Sequence, residues 1–323
     1  MKDTEYAYAV ANVRAKEPEL LTKSFIEQLI DTPTFTDAKK IMVDKGFTGF
    51  EKSTDVSDVL ADYMIEVWNF LTNVAPDKEV LDFLVVKNDF HNLKAIIKGH
   101  ISGNDGRKYC IKPSVLDVDF LYNSIIQKEF DNLPKWISGV SKEAYDLLTS
   151  TMDGQIFDMY VDVASLKAMI NFSKSTECFL AIDYSELFVA LANIKIAVRL
   201  SGTTKGNAFL ENAFCPCETL SVDELKKAVL KGKDDIITYI NSTKYSVLSE
   251  SILKSVADFE RECDNMLIKR LDDVRFVNMG PEPLICYYLA KEAEWKMLRI
   301  ALSGKNIDMP SGSIRERMRE LYV

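Results

Sequence analysis

The chain has 323 residues, 47% of them hydrophobic and 28% charged, with a formal net charge of −9. This is the composition of a folded soluble chain, and it excludes disorder. An acidic balance without a basic tract also excludes a nucleic-acid or anionic-membrane binder that works through clustered Lys and Arg. At roughly 100–200 residues per domain, two or three units are expected, with room for a core that needs no staples.

The opening "MKDTEYAYAV" carries charge and no apolar core, so no secretory signal is expected. Thr36 is placed to cap a helix through "DAKKIMVDK" that stops at Gly46. Asp55 caps a long amphipathic run, "VSDVLADYMIEVWNFLTNVA". Pro76 suits the first turn of the next helix, which ends near Gly99. "FLAIDYSELFVALANIKIAVRL" is strongly apolar but holds Asp183, Glu186, Lys195 and Arg199, so it is not a membrane span. Ser221 and Glu224 form a capping box for a helix that stops at Gly232. Ser249 to Phe276 reads as one long helix. After the Gly280-Pro281-Glu282-Pro283 break a helix runs to Ser303-Gly304, and Ser313 with Glu316 caps a last one. No convincing strand pattern occurs, so the fold class is all-α.

"NLKAIIK" begins at Asn92, "NIKIAVR" at Asn193 and "EWKMLRI" at Glu294, so Lys94, Lys195 and Lys296 are each 101 residues apart. Turn-rich stretches at 102–114 and 201–221 divide the chain near 110 and 212. Three copies of one helical unit follow from this, at 1–110, 111–212 and 213–323, set about an axis or along a line. Leu93, Ile194, Trp295, Ile96, Ile97, Ala197, Val198 and Leu298 continue an apolar stripe beside the lysines, whose heads reach water along apolar stems.

Little in the chain points to chemistry. The two histidines, His91 and His100, are nine apart on one expected helix and face opposite sides, which does not suit a shared metal. Cys215-Pro216-Cys217 has one intervening residue and no second pair, unlike a structural zinc site. The six cysteines are expected as free thiols of a reducing compartment. Phosphate-cradling glycine motifs are absent. Asp234-Asp235 and Asp272-Asp273 each lack the third carboxylate that an all-α, magnesium-dependent diphosphate enzyme would place one turn on. The expectation is therefore no catalytic residue, no cofactor and no metal.

"GPEPLICYYLAKEAEWKMLRIALSGK" followed by "SIRERMRELYV" resembles the C-terminal signature of the C-type subunits of V/A-type rotary ATPases, counterparts of the d-type subunit of eukaryotic V-ATPases. Tyr8, Ala9, Arg14, Glu17 and Leu21 are similar to that family's opening, so the resemblance spans the chain. It implies a pseudo-three-fold funnel of helical units. It also implies a non-catalytic central-stalk socket, one copy per complex, on the cytoplasmic face of the membrane. The partners implied are the membrane rotor-ring subunits and the central shaft subunits of D and F type. Torque would pass between ATP hydrolysis or synthesis and H⁺ or Na⁺ transport. The motif residues Gly280, Pro281, Pro283, Glu294, Arg299, Gly304, Arg315 and Arg317 are expected to be structural, and Cys215 and Cys217 have no place in the resemblance. The competing reading is a helical adaptor that binds partner helices, disfavoured because solenoid repeats are usually about 20–45 residues long.

Overall fold

The structure, a computed structural model, describes residues 3–201 and 207–323, and its regular elements are all helical. In chain order they begin with α1 (Ala7–Lys16), α2 (Lys23–Asp31), α3 (Phe35–Asp44), α4 (Gly49–Lys52) and α5 (Val56–Val74). There follow α6 (Asp82–Ile101), α7 (Val118–Ile126), α8 (Lys135–Thr151), α9 (Gly154–Ser175), α10 (Phe179–Leu200), α11 (Asn207–Asn212), α12 (Val222–Lys231) and α13 (Lys233–Asn241). The last are α14 (Leu248–Lys254), α15 (Val256–Lys269), α16 (Glu282–Asn306) and α17 (Ser311–Arg315). The described residues form two compact units, one of 1–78 with 250–323 and one of 79–249.

Local chemistry sets the helix starts. Thr22, Thr34, Asp55, Asp117, Asp153, Ser221 and Ser255 each sit in extended backbone and accept a backbone N–H two or three residues on. Each such cap is worth about 1 kcal/mol. Gly46 and Gly232 end α3 and α12 with φ of +107° and +129°, a region where a Cβ is strained. One succession recurs three times: a capped short helix, a second helix, a capped long helix and a long buried helix. It runs through α2, α3, α5 and α6, then α7, α8, α9 and α10, then α12, α13, α15 and α16.

Several expected boundaries move. Thr34 caps α3 in place of Thr36, which already lies inside the first turn. Pro76 precedes a short turn of 3-10 helix at Glu79–Leu81, and α6 starts only at Asp82. The expected helix from Ser249 to Phe276 is broken because the Ser255 side chain takes the Asp258 N–H and starts α15 afresh. α16 runs through Ser303-Gly304 to Asn306. Gly304 is no stop: a Cβ there would lie 2.8 Å from Ile314 Cγ1, so α17 packs directly on this point. α17 starts after Pro310 and ends at Arg315. The tail beyond is held by other bonds: Glu320 N–H donates to Asn265 Oδ1 at 2.9 Å, and Arg275 donates to the Tyr322 carbonyl. The glycine turn read at 201–207 lies, over 202–206, outside the described residues.

In the first unit α16 is the axis, packed against α1, α2, α3, α5, α15 and α17. Its Met297, Leu298, Ala301 and Leu302 join Ile26, Leu29, Met42 and Leu60 in one buried cluster. In the second unit α6 packs on α7, α8 and α9, and α10 packs on α9, α12 and α13. The stretch read as a linker at 102–114 is pressed onto α6: a Cβ on Gly106 would lie 2.3 Å from the Ala95 carbonyl oxygen.

Two substitution experiments test this packing by denaturant unfolding. Leu298→Ala, at a fully buried position, is expected to cost roughly 2–5 kcal/mol. Gly106→Ala is expected to cost about 1–3 kcal/mol because it meets rigid backbone. Gly139→Ala, in α8 with open space around it, should instead stabilise by about 0.5–1 kcal/mol.

Candidate functional site

The heptads picked out by their lysines owe their likeness to the residue two positions earlier. Asn92, Asn193 and Glu294 are also 101 residues apart, and all three are buried, with at most 2% of their surface exposed. On α6, Asn92 Nδ2 donates to the Ile111 carbonyl at 3.0 Å and Oδ1 accepts the Ile111 N–H at 2.7 Å. On α10, Asn193 Nδ2 donates to the Cys215 carbonyl at 2.7 Å and Oδ1 accepts the Cys215 N–H at 3.0 Å. A side-chain amide carries one donor face and one acceptor face, the same pair that a peptide group offers. Each asparagine therefore does for one extended residue what a neighbouring strand would do.

Further bonds lengthen both tracks. Asn88 Nδ2 holds the Pro113 carbonyl at 2.7 Å, and the Asp89 carboxylate accepts Val115 N–H at 2.9 Å and Leu116 N–H at 2.8 Å. Glu186 accepts the N–H groups of Glu218 and Thr219. The extended chain thus runs back along each helix towards its N-terminus, then meets a cap: Asp117 for α7 and Ser221 for α12.

On α16 the arrangement is closed by the start of the chain. Glu294 Oε1 accepts the Leu21 N–H at 2.7 Å, and the next residue, Thr22, caps α2. Oε2 accepts the Tyr63 hydroxyl of α5 at 2.7 Å and lies 3.1 Å from the Lys291 ammonium. A carboxylate can only accept, and the charge it brings into the core is matched by Lys291, which also lies over the rings of Tyr63 and Tyr287. Burial, with the Glu294 charge second, holds the Tyr63 phenol well above its ordinary range. Arg14 continues the seam, donating to the carbonyls of Arg275 at 2.9 Å and Val277 at 2.6 Å.

The expected lysines do something different. Lys94 and Lys98 pair with Asp162 and Asp158 on α9, and Lys296 with Asp264 on α15, while Lys195 is half-buried on α10. Gly280 has φ +81° at the turn before Pro281, and Pro283 is buried in the first turn of α16. Arg315 binds Glu27 and Asp31 on α2. Arg299 and Arg317 are exposed. His91 bonds the Tyr109 carbonyl, whereas His100 lies against Tyr145, so the two are not brought together. All six cysteines are free, and burial pushes the thiols of Cys215 and Cys217 up to about 12 and about 11. They are protonated thiols, and what Cys215 contributes to its track is its backbone.

A buried seam of side chains clasping backbone, repeated at one interval, is a structural device with no reacting group at its centre. The family comparison agrees in placement. The family model described as ATP synthase (C/AC39) subunit matches residues 9–317. The chain belongs to this family. Among its relatives, the C-type subunit of the V-type sodium ATPase of Enterococcus hirae is 22% identical, over 96% of this chain and 97% of its own length. The corresponding subunit of the V-type ATP synthase of Thermus thermophilus is 20% identical over 97% and 98%. That of the A-type ATP synthase of Thermococcus kodakarensis is 21% identical over 95% and 89%. The chain is thus a rotary ATPase subunit, and the seam residues Leu21, Asn92, Asn193 and Glu294 all fall within the matched span.

Two measurements check the seam. Asn92→Ala, which strips both partners from a held peptide, is expected to lower unfolding stability by about 1–3 kcal/mol. The second uses Asp89, fully buried, whose carboxyl is raised to about 6 by burial against the opposing pull of the Leu116 and Val115 N–H groups. A raised folded value means that the native state holds the proton more tightly. Its stabilising share is complete below the ordinary aspartate range and is lost as pH rises through about 6. From about pH 7 down to about 4.5, wild type should therefore gain stability relative to Asp89→Asn, read as the difference between their urea midpoints.

Proposed function

We propose that this protein is the non-catalytic socket of the central stalk, linking the rotor shaft to the membrane rotor ring. It transmits torque between ATP hydrolysis or synthesis and H⁺ or Na⁺ transport. The observation that carries the reading is a family match over nearly the whole chain, with relatives covered almost end to end. In this reading one copy sits at the cytoplasmic face of the membrane, held there by the ring and by the D- and F-type shaft subunits. No helix among the described residues is long and apolar enough to cross a membrane, which suits attachment through a partner.

The reading includes three helical units, 1–110, 111–212 and 213–323, set about a pseudo-three-fold axis as a funnel. The recurring succession of helices and the Asn92, Asn193 and Glu294 positions support it. The unit boundaries then belong to a cyclic repeat: in the third unit Glu294 holds Leu21, the part that Ile111 and Cys215 take in the others. Torque transfer asks for stiffness, and close-packed helical cores resist compression.

The test is capture by the full chain of purified rotor ring and of purified shaft subunits. Retention of both is the expected result, and retention of neither would make the chain an adaptor outside the rotor. Because the chain carries a net −9, shaft affinity should fall as ionic strength rises from about 0.05 to about 0.5 M. A salt-independent affinity would remove the electrostatic part of the reading.

A further inference from the structure

The C-terminal half of α16 and the chain after it enclose a groove of about 490 Å³. Four cations line it, Lys296, Arg299, Arg317 and Arg319, against one acid, Asp264. In a chain with a net charge of −9 this is a local reversal of sign. Two of the cations are already engaged with that acid: Lys296 Nζ lies 3.3 Å and Arg319 Nε 3.2 Å from its oxygens. Arg299 and Arg317 are exposed, and neither has a carboxylate partner among the described residues. The Arg299 guanidinium is held 5.2 Å above the Trp295 ring, so it is positioned without being neutralised. Apolar surface adjoins these cations: Trp295 and Ile300 are half-buried in the wall, and Ile307 is 67% exposed.

The chemistry of the lining selects the occupant. A compact dianion such as phosphate is best held by backbone N–H groups at a helix N-terminus. This groove is at the opposite end of α16, lined by Ser303, Gly304 and Ile307, where the helix dipole is negative. Separate guanidinium forks instead suit separate carboxylates, each taken by two parallel N–H donors. The adjoining apolar wall suits the stripe of an amphipathic helix. We infer that this groove docks an acidic amphipathic segment of a partner polypeptide, its carboxylates on Arg299 and Arg317 and its apolar face on Trp295 and Ile307. The two arginines, expected from the sequence to be structural, are then contact residues. The inference goes beyond the socket reading and stands or falls separately from the ring and shaft capture.

The probe is a fluorescent synthetic helix with Leu at core spacing and Glu beside it, titrated with the full chain. A matched peptide with Gln for Glu, vesicles of phosphatidylcholine and phosphatidylserine in equal parts, and inorganic phosphate as competitor run in parallel. The Glu peptide should bind, the Gln peptide and the vesicles should not, and phosphate should fail to displace the peptide. The double variant R299E/R317E should weaken binding by roughly tenfold or more. Its helical circular dichroism and melting should be unchanged, since neither guanidinium has a carboxylate partner to lose. R299Q/R317Q supplies the same comparison if the reversal does not fold. No binding of the Glu peptide, equal binding by either variant, or preference for the vesicles or phosphate would overturn the inference.

Discussion

A buried polar side chain that grips the backbone of an extended segment is the constraint on which the rest of this molecule depends. Helices supply their own backbone partners, but the segments between them do not. A buried peptide group without a partner costs about 1–3 kcal/mol. Asn92 and Asn193 remove that cost by offering a donor and an acceptor together. With the return segment so held, Asp117 and Ser221 are delivered to the places where α7 and α12 begin. The position of each following helix is thus set by one amide on the helix before it.

Glu294 solves the same problem with a charge, and the environment changes to suit. Its two oxygens gather the Leu21 N–H, the Tyr63 hydroxyl and the Lys291 ammonium around one point. Residues more than 200 positions apart in the chain meet there. Breaking such a buried pair by removing one partner costs far more than the pair contributes over an apolar substitute, so the site favours one arrangement of the chain's two ends. For a protein proposed to carry load, a single well-defined closure matters more than added stability.

The groove beside α16 has the opposite character. Asp264 engages Lys296 and Arg319 within the fold, while Arg299 and Arg317 remain exposed. Where the fold needs cations it pairs them, as with Arg315 on α2 or Lys94 on α9. Exposed arginines without a carboxylate partner, in an otherwise acidic chain, mark a surface whose complement lies in another molecule.

The sequence by itself determined the helical class, most capping residues, the 101-residue interval and the family. These rest on local rules: side-chain spacing along a helix, the oxygen of Asp55 or Ser221 at a helix start, and the left-handed glycines 46 and 232. It misplaced Thr36 and Ser249–Phe276, where two neighbouring residues could each start a helix and packing chose between them. It read Gly304 as a stop, because the approach of Ile314 is a contact made after the chain has turned. Only the tertiary structure decided that Asn92, Asn193 and Glu294, and not the lysines two residues on, are the core of the repeat. Burial and the identity of a backbone partner are non-local, so a polar residue on a helix looks the same in sequence whether it faces water or holds another segment in place.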